Sequence, residues 1–165
     1  MKKFISILGS TGSVGLSTLS ILDKNKKDFK PFVFSANKNY RLICQQIKKY
    51  KPHFFIISDK NTYYKVLKKF KKKKIKIFNN FLDLKLKKKS DITITAIPGI
   101  AGLEPTIKLV EKSKKILIAN KESIICGWEI IQKELKKNKT EFIPVDSEHF
   151  SIWSVIKDYS KSDIE

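Results

Sequence analysis

Arginine is almost missing from this chain: Arg41 is the sole one among 35 Lys and Arg. Sequence-specific reading of nucleic acid leans on the planar, bidentate arginine fork, so its scarcity argues against a dedicated nucleic-acid patch even at a formal net charge of +19. The lysines are dispersed, with the runs at 71–74 and 87–89 lying between strand-like apolar segments, and they read as a solvated basic surface that can still steer small phosphorylated ligands. Cysteine is as sparse. Cys44 and Cys126 stand far apart and fit neither a metal-binding spacing nor a disulfide framework, which points to a reducing, cytoplasmic setting. Long hydrophobic runs are also lacking: none approaches the roughly 20 residues that span a bilayer. Phe4–Leu8 after Met1-Lys2-Lys3 is shorter than the apolar core of a secretory signal and runs directly into glycine.

What is present is enough apolar material, 41% of 165 residues, for one packed core. It is arranged as short apolar runs alternating with longer amphipathic ones. Strands are expected at Phe4–Leu8, Phe32–Ser35, His53–Ile57, Ile75–Phe78, Ile92–Ile97, Ile116–Ala119 and Phe142–Val145. Helices are expected at Ser13–Asp23, Tyr40–Tyr50, Asn61–Phe70, Leu103–Glu111, Glu122–Lys136 and Glu148–Ile156. Strands alternating with helices build parallel βαβ units, and continuous apolar strands imply helices on both faces of the sheet. The expected class is α/β: a Rossmann-like, doubly wound parallel sheet.

Gly9-Ser10-Thr11-Gly12-Ser13-Val14-Gly15 joins the first strand to the first helix. Glycines there permit a tight turn and close approach of backbone to a pyrophosphate, which the helix N-terminus holds. The spacing is G-x-x-G-x-x-G rather than G-x-G-x-x-G, so position carries more weight than pattern. An NAD enzyme would place an acid at the end of the second strand to bind the ribose 2′-hydroxyl. This chain reads Ser35-Ala36-Asn37-Lys38-Asn39-Tyr40-Arg41, with cations and amides instead, which favours the 2′-phosphate of NADPH.

Two further polar clusters fall at strand ends, where open α/β sheets bind ligands. Asn120-Lys121-Glu122-Ser123 offers either a cation for a substrate phosphate or a helix start capped by Asn120. In Pro144-Val145-Asp146-Ser147-Glu148-His149, an extended backbone would turn Asp146 and Glu148 to one side. Two carboxylates there suit Mg²⁺ or Mn²⁺. The other reading is a helix capped by Asp146 or Ser147, and His149 is not assigned to the metal.

Taken together, Gly9–Gly15, Ala96-Ile97-Pro98-Gly99-Ile100-Ala101-Gly102-Leu103-Glu104-Pro105-Thr106, Ala119–Ser123 and Pro144–His149 resemble the 1-deoxy-D-xylulose 5-phosphate reductoisomerase family in order and approximate spacing. The resemblance implies conversion of 1-deoxy-D-xylulose 5-phosphate to 2-C-methyl-D-erythritol 4-phosphate, early in non-mevalonate isoprenoid biosynthesis, using NADPH and Mn²⁺ or Mg²⁺. It implies that Thr11, Gly12, Ser13 and Val14 meet the pyrophosphate region, that Asn37, Lys38 and Asn39 lie at the 2′-phosphate, and that Asn120 and Glu122 lie near the cofactor. Lys121, Ser147 and Glu148 would contact the sugar phosphate, with Asp146 and Glu148 as metal ligands. The family usually has glycine where Asn37 stands; asparagine is the next most tolerant of a left-handed backbone. A homodimer is implied for the complete enzyme.

The resemblance covers essentially the whole chain, while the chain covers well under half of a family member. Residues 1–145 are expected to form the NADPH-binding domain and residues 146–165 the truncated start of a catalytic domain. A chain of this extent is expected to be inactive alone. One rival, another NADP-linked dehydrogenase, gives no reason for Asp146-Ser147-Glu148-His149. A second, a non-catalytic nucleotide- or polyanion-binding module, draws support from the charge.

Overall fold

The computed structural model describes residues 1–156, apart from the side chain of Glu148; the rest of the expected catalytic segment, residues 157–165, lies outside the described residues. Among the described residues seven strands, β1 (Lys3–Leu8), β2 (Phe29–Ala36), β3 (Phe54–Ile57), β4 (Lys76–Phe78), β5 (Ser90–Thr95), β6 (Ser113–Ile118) and β7 (Glu141–Pro144), alternate with helices, except that no helix separates β4 from β5. The helices are α1 (Ser13–Lys24), α2 (Tyr40–Tyr50), α3 (Lys60–Phe70), α4 (Leu103–Val110), α5 (Lys121–Asn138) and α6 (Ser147–Ile156), with a 3₁₀ turn at Ile100–Gly102 before α4.

The strands form one parallel sheet in the order β4-β3-β2-β1-β5-β6-β7. Alternation of side chains divides each strand between two cores. Ile5, Ile7, Phe34, Phe55 and Ile57 meet Leu19 and Leu22 of α1, Ile43 and Ile47 of α2, and Val66 and Phe70 of α3. On the other face Leu8, Val33 and Ile56 pack with Leu109 of α4, and Ile116 and Ile118 with Ile124, Ile131 and Leu135 of α5. Each fully buried Ile, Leu or Phe contributes roughly 1.5–3 kcal/mol, so both faces must be covered for the sheet to stand. The expected doubly wound α/β fold is present. No helix among the described residues is long and apolar enough to cross a membrane.

The chain winds outward from β1 to β4, then returns to place β5 on the other side of β1. The carboxyl ends of β1 and β5 therefore flank the topological switch point, where such sheets open a crevice for a ligand.

Two boundaries differ from expectation in an informative way. β2 begins at Phe29, three residues early, and runs through Pro31; its pairing with β3 starts only at Val33, so no ladder bond to β3 is lost at the proline. β6 begins at Ser113 and includes Lys114 and Lys115, which pair across the sheet with Asp91 and Glu141.

Candidate functional site

The glycine turn is held from below. Gly9 has φ +80°, and a Cβ there would strike the Ala96 carbonyl; a Cβ on Gly15 would strike the Gly9 carbonyl. Only glycine fits at either place. The Ser35 carbonyl at the end of β2 accepts from the Gly9 and Ser10 backbone N–H groups at 3.1 and 2.8 Å, and Ser35 Oγ accepts from Gly9 N–H at 3.1 Å. Ser10 is fully buried, its Oγ 2.6 Å from Gln46 Oε1, while Gln46 Nε2 donates to the Ser10 carbonyl at 2.8 Å. Above this anchorage Gly12, Ser13 and Val14 lie exposed and Thr11 half-buried. Asn39, Asp59 and Asn120 cap α2, α3 and α5 with their side chains, but no side chain caps α1 at Gly12. Its first-turn N–H groups thus have no side-chain partner, in keeping with a bound pyrophosphate.

Asn37, Lys38 and Asn39 follow β2 as an exposed turn. Asn39 Oδ1 accepts the Leu42 N–H at 3.1 Å and so caps α2. The expectation that Asn37 needs a left-handed backbone is corrected: among the described non-glycine residues only Lys51 and Lys139 have positive φ, so asparagine stands there without strain. The nearby Asp59 cannot replace the missing ribose-binding acid, because Oδ1 accepts the Thr62 N–H at 2.8 Å at the start of α3. That backbone hydrogen bond holds its carboxyl below the usual range, and the Lys38 charge acts the same way.

Asn120 takes the capping reading. It is 3% exposed, its Oδ1 accepts the Ser123 N–H at 2.8 Å, and its Nδ2 donates to the Ile97 carbonyl and, at 2.8 Å, to that of Gly99. The side chain therefore ties the loop after β5 to the start of α5, and only its backbone remains for a cofactor. Gly102 makes this possible, since a Cβ there would lie 2.5 Å from both Asn120 Nδ2 and the Ile97 carbonyl. Lys121 and Glu122, next in α5, are exposed.

The chain does not stay extended after β7. Helix α6 starts at Ser147, so the geometric argument that paired Asp146 with Glu148 across an extended segment fails. Asp146 Oδ1 instead accepts the His149 N–H at 3.0 Å, the signature of an N-cap. Its side chain is only 7% exposed, and Oδ2 is buried without a partner. Burial would raise its pKa, but hydrogen bonds from the His149 backbone and ring prevail and hold it below the usual carboxylate value. An ionised oxygen left unsatisfied in this way fits a cation ligand. Ser147 is exposed, and the Glu148 side chain lies outside the described residues. No group of three or more His, Cys, Asp or Glu among the described residues is placed to hold a metal, so any site is completed by other groups.

These segments follow β2, β1, β5, β6 and β7, adjacent strands in that order. At about 4.8 Å between strands they form a row roughly 20 Å long on the carboxyl edge. The Lys38 turn stands at one end, the glycine turn and the Asn120 loop stand between, and Asp146 stands at the other. The residues that sequence reasoning missed are Ser10, Ser35 and Gln46. A glutamine interrupting the buried stripe of Ile43, Cys44 and Ile47 was the available signal.

A parallel doubly wound sheet with a glycine turn at its switch point defines a dinucleotide-binding domain of the Rossmann type. The family model for 1-deoxy-D-xylulose 5-phosphate reductoisomerase matches residues 5–127, and the chain belongs to that family. The reductoisomerase of Pelagibacter ubique (strain HTCC1062) is 46% identical over 169 residues, an alignment taking in 100% of this chain and 43% of the relative. The reductoisomerase of Zymomonas mobilis, solved with NADPH, shares the fold at TM-score 0.85 and 24% identity, covering 99% of this chain and 43% of that one. A reductoisomerase solved with NADPH, fosmidomycin and magnesium is 26% identical at TM-score 0.82, over 92% of this chain and 38% of that one. The chain thus spans about 43% of the length of the Pelagibacter relative.

Proposed function

We propose that this chain forms the NADPH-binding part of an enzyme converting 1-deoxy-D-xylulose 5-phosphate to 2-C-methyl-D-erythritol 4-phosphate. Residues 1–145 make the cofactor domain, and residue 146 onward opens the catalytic part. The observation that carries this reading is the row on the carboxyl edge, with the uncapped α1 at its switch point and the orphaned Asp146 oxygen at one end. Relatives solved with NADPH and with magnesium support it.

The Thr11 N–H and the first N–H groups of α1, at Ser13 and Val14, face the pyrophosphate, while Gly12, its own N–H given to the Gly9 carbonyl at 3.0 Å, lets the backbone approach closely. Asn37, Lys38 and Asn39 receive the 2′-phosphate, and Asn120 and Glu122 border the nicotinamide end of the row. Lys121 and Ser147 hold the sugar phosphate's oxygens together with Glu148, which also joins Asp146 as a metal ligand. When bound, the nicotinamide would supply a hydride, and a divalent ion, Mn²⁺ or Mg²⁺, held by Asp146 and Glu148 would supply Lewis acidity. Asp146 stays ionised to hold charge at that end of the row. A cytoplasmic setting accords with the free thiols of Cys44 and Cys126, and a homodimer of the complete enzyme belongs to the same reading.

The charge of +19 favours a second reading, a non-catalytic polyanion-binding module. Titration of the chain with NADPH, with NADH and with a single-stranded oligonucleotide separates the two. Saturable binding of NADPH in preference to NADH is expected. Salt-sensitive oligonucleotide binding with no saturable NADPH site would support the module instead.

A further inference from the structure

We infer that Gln46 is a positioning residue for the dinucleotide turn, aiming the Thr11 N–H at the cofactor pyrophosphate; this rests on the NADPH-binding reading above. Gln46 is 3% exposed and lies on the face of α2 that buries Ile43, Cys44 and Ile47. Leucine would continue that stripe without burying an amide, so packing alone gives no reason for glutamine. Its amide is instead satisfied at both ends by one residue 36 positions away. Oε1 lies 2.6 Å from Ser10 Oγ, and Nε2 donates to the Ser10 carbonyl at 2.8 Å. The Ser10 hydroxyl has one proton to give, and the Gln46 contact is shorter than its 3.1 Å approach to the Ser35 carbonyl, which already accepts two backbone N–H groups.

The consequence follows from peptide planarity. In a trans peptide the C=O and the next N–H point in opposite directions, and every peptide bond described here is trans. With the Ser10 carbonyl held down on Gln46, the Thr11 N–H is turned away from α2, toward the exposed side of the turn. Helix α2 is also capped by Asn39, beside Lys38. One rigid helix therefore fixes the pyrophosphate turn through Gln46 and starts at the 2′-phosphate turn.

The test compares wild type, Gln46→Leu and Gln46→Glu, with Ile131→Val in the α5 core as a stability control. Each is titrated with NADPH and with NADH, and amide hydrogen exchange is followed in the cofactor-free chain. Both Gln46 variants should weaken NADPH and NADH by the same factor, about tenfold for a lost buried hydrogen bond, because the pyrophosphate is common to both. Exchange should quicken at residues 9–12 and not in α5. Ile131→Val should lower Tm and leave both affinities alone. Wild-type affinity in a folded Gln46→Leu chain, with or without faster exchange, overturns the inference. If wild type itself fails to bind NADPH, the functional reading falls, and unchanged exchange at residues 9–12 in Gln46→Leu would then overturn the clamp as well.

Discussion

Asp146 meets His149 twice through one oxygen: Oδ1 accepts the backbone N–H at 3.0 Å and lies 2.6 Å from ring Nδ1. A carboxylate has no proton to offer, so the ring donates from Nδ1. That leaves Oδ2 buried and unpartnered, and the two functions of the residue can be separated by mutation. Asparagine caps as well as aspartate, so Asp146→Asn should leave Tm nearly unchanged. In an enzyme of the relatives' full length, turnover should fall roughly 100-fold or more, since Lewis-acid polarisation is worth several kcal/mol. Raised Mn²⁺ should restore part of it. Full turnover at ordinary metal concentration would leave Asp146 as a cap alone.

Lys38 is the exposed cation of the turn after β2, where Asp59 is engaged at the α3 cap. Lys38→Glu should weaken NADPH by roughly 10–150-fold, the value of a hydrogen bond to a charged group, and change NADH little. Paired titrations by nicotinamide fluorescence measure the ratio. A ratio left at its wild-type value would show that Lys38 does not read the 2′-phosphate.

Stability should depend on acid through Asp91, which lies at the amino end of the sheet, away from the cofactor edge. Its Oδ1 accepts from Lys114 Nζ and its Oδ2 from the Phe4 N–H, each at 2.7 Å, so it ties β1, β5 and β6 together. The Lys114 hydrogen bond, aided by that from Phe4, overcomes burial and holds its pKa below the usual value of 3.8. A depressed carboxylate stabilises the fold fully above its unfolded pKa and loses that contribution as pH falls through the folded value. Urea midpoints of wild type and Asp91→Asn should therefore differ near neutrality and converge in acid. A gap constant from pH 7 down to pH 3, on the order of those limits, would refute the assignment.

Some of this was legible in the sequence for physical reasons. Helix α2 at Tyr40–Tyr50 is legible because Leu42, Ile43, Ile47 and Tyr50 fall at helical spacing. The glycine turn was legible because only glycine survives where carbonyls crowd the backbone. The amino ends of β2 and β6 were not, because Pro31 and Lys114–Lys115 are tolerated only through what the neighbouring strands do. Gln46 was legible only in part: a glutamine interrupts the buried stripe of α2, but its partner Ser10 is 36 residues distant, and local pattern does not say which group a buried amide meets. Asp146 and Glu148 look paired only while the chain stays extended, and the helix that starts at Ser147 removes that geometry.

Asn120 offers the sharpest contrast between two roles in one side chain. Its Oδ1 caps α5, while its Nδ2 binds the Ile97 and Gly99 carbonyls of the loop after β5. If capping were its whole role, Asn120→Asp would be harmless, since aspartate caps equally well and suits the helix dipole. Asn120→Ala would then cost only about 1 kcal/mol for the lost cap. The loop contacts reverse that order. A carboxylate oxygen facing two carbonyl oxygens repels both and leaves buried polar groups unpaired, a penalty of about 1–3 kcal/mol or more. Asn120→Asp should thus be at least as destabilised as Asn120→Ala by urea unfolding. Because the displaced loop adjoins the glycine turn through the contact of Gly9 with Ala96, NADPH affinity should fall in both. A wild-type urea midpoint for Asn120→Asp would reduce the residue to a helix cap.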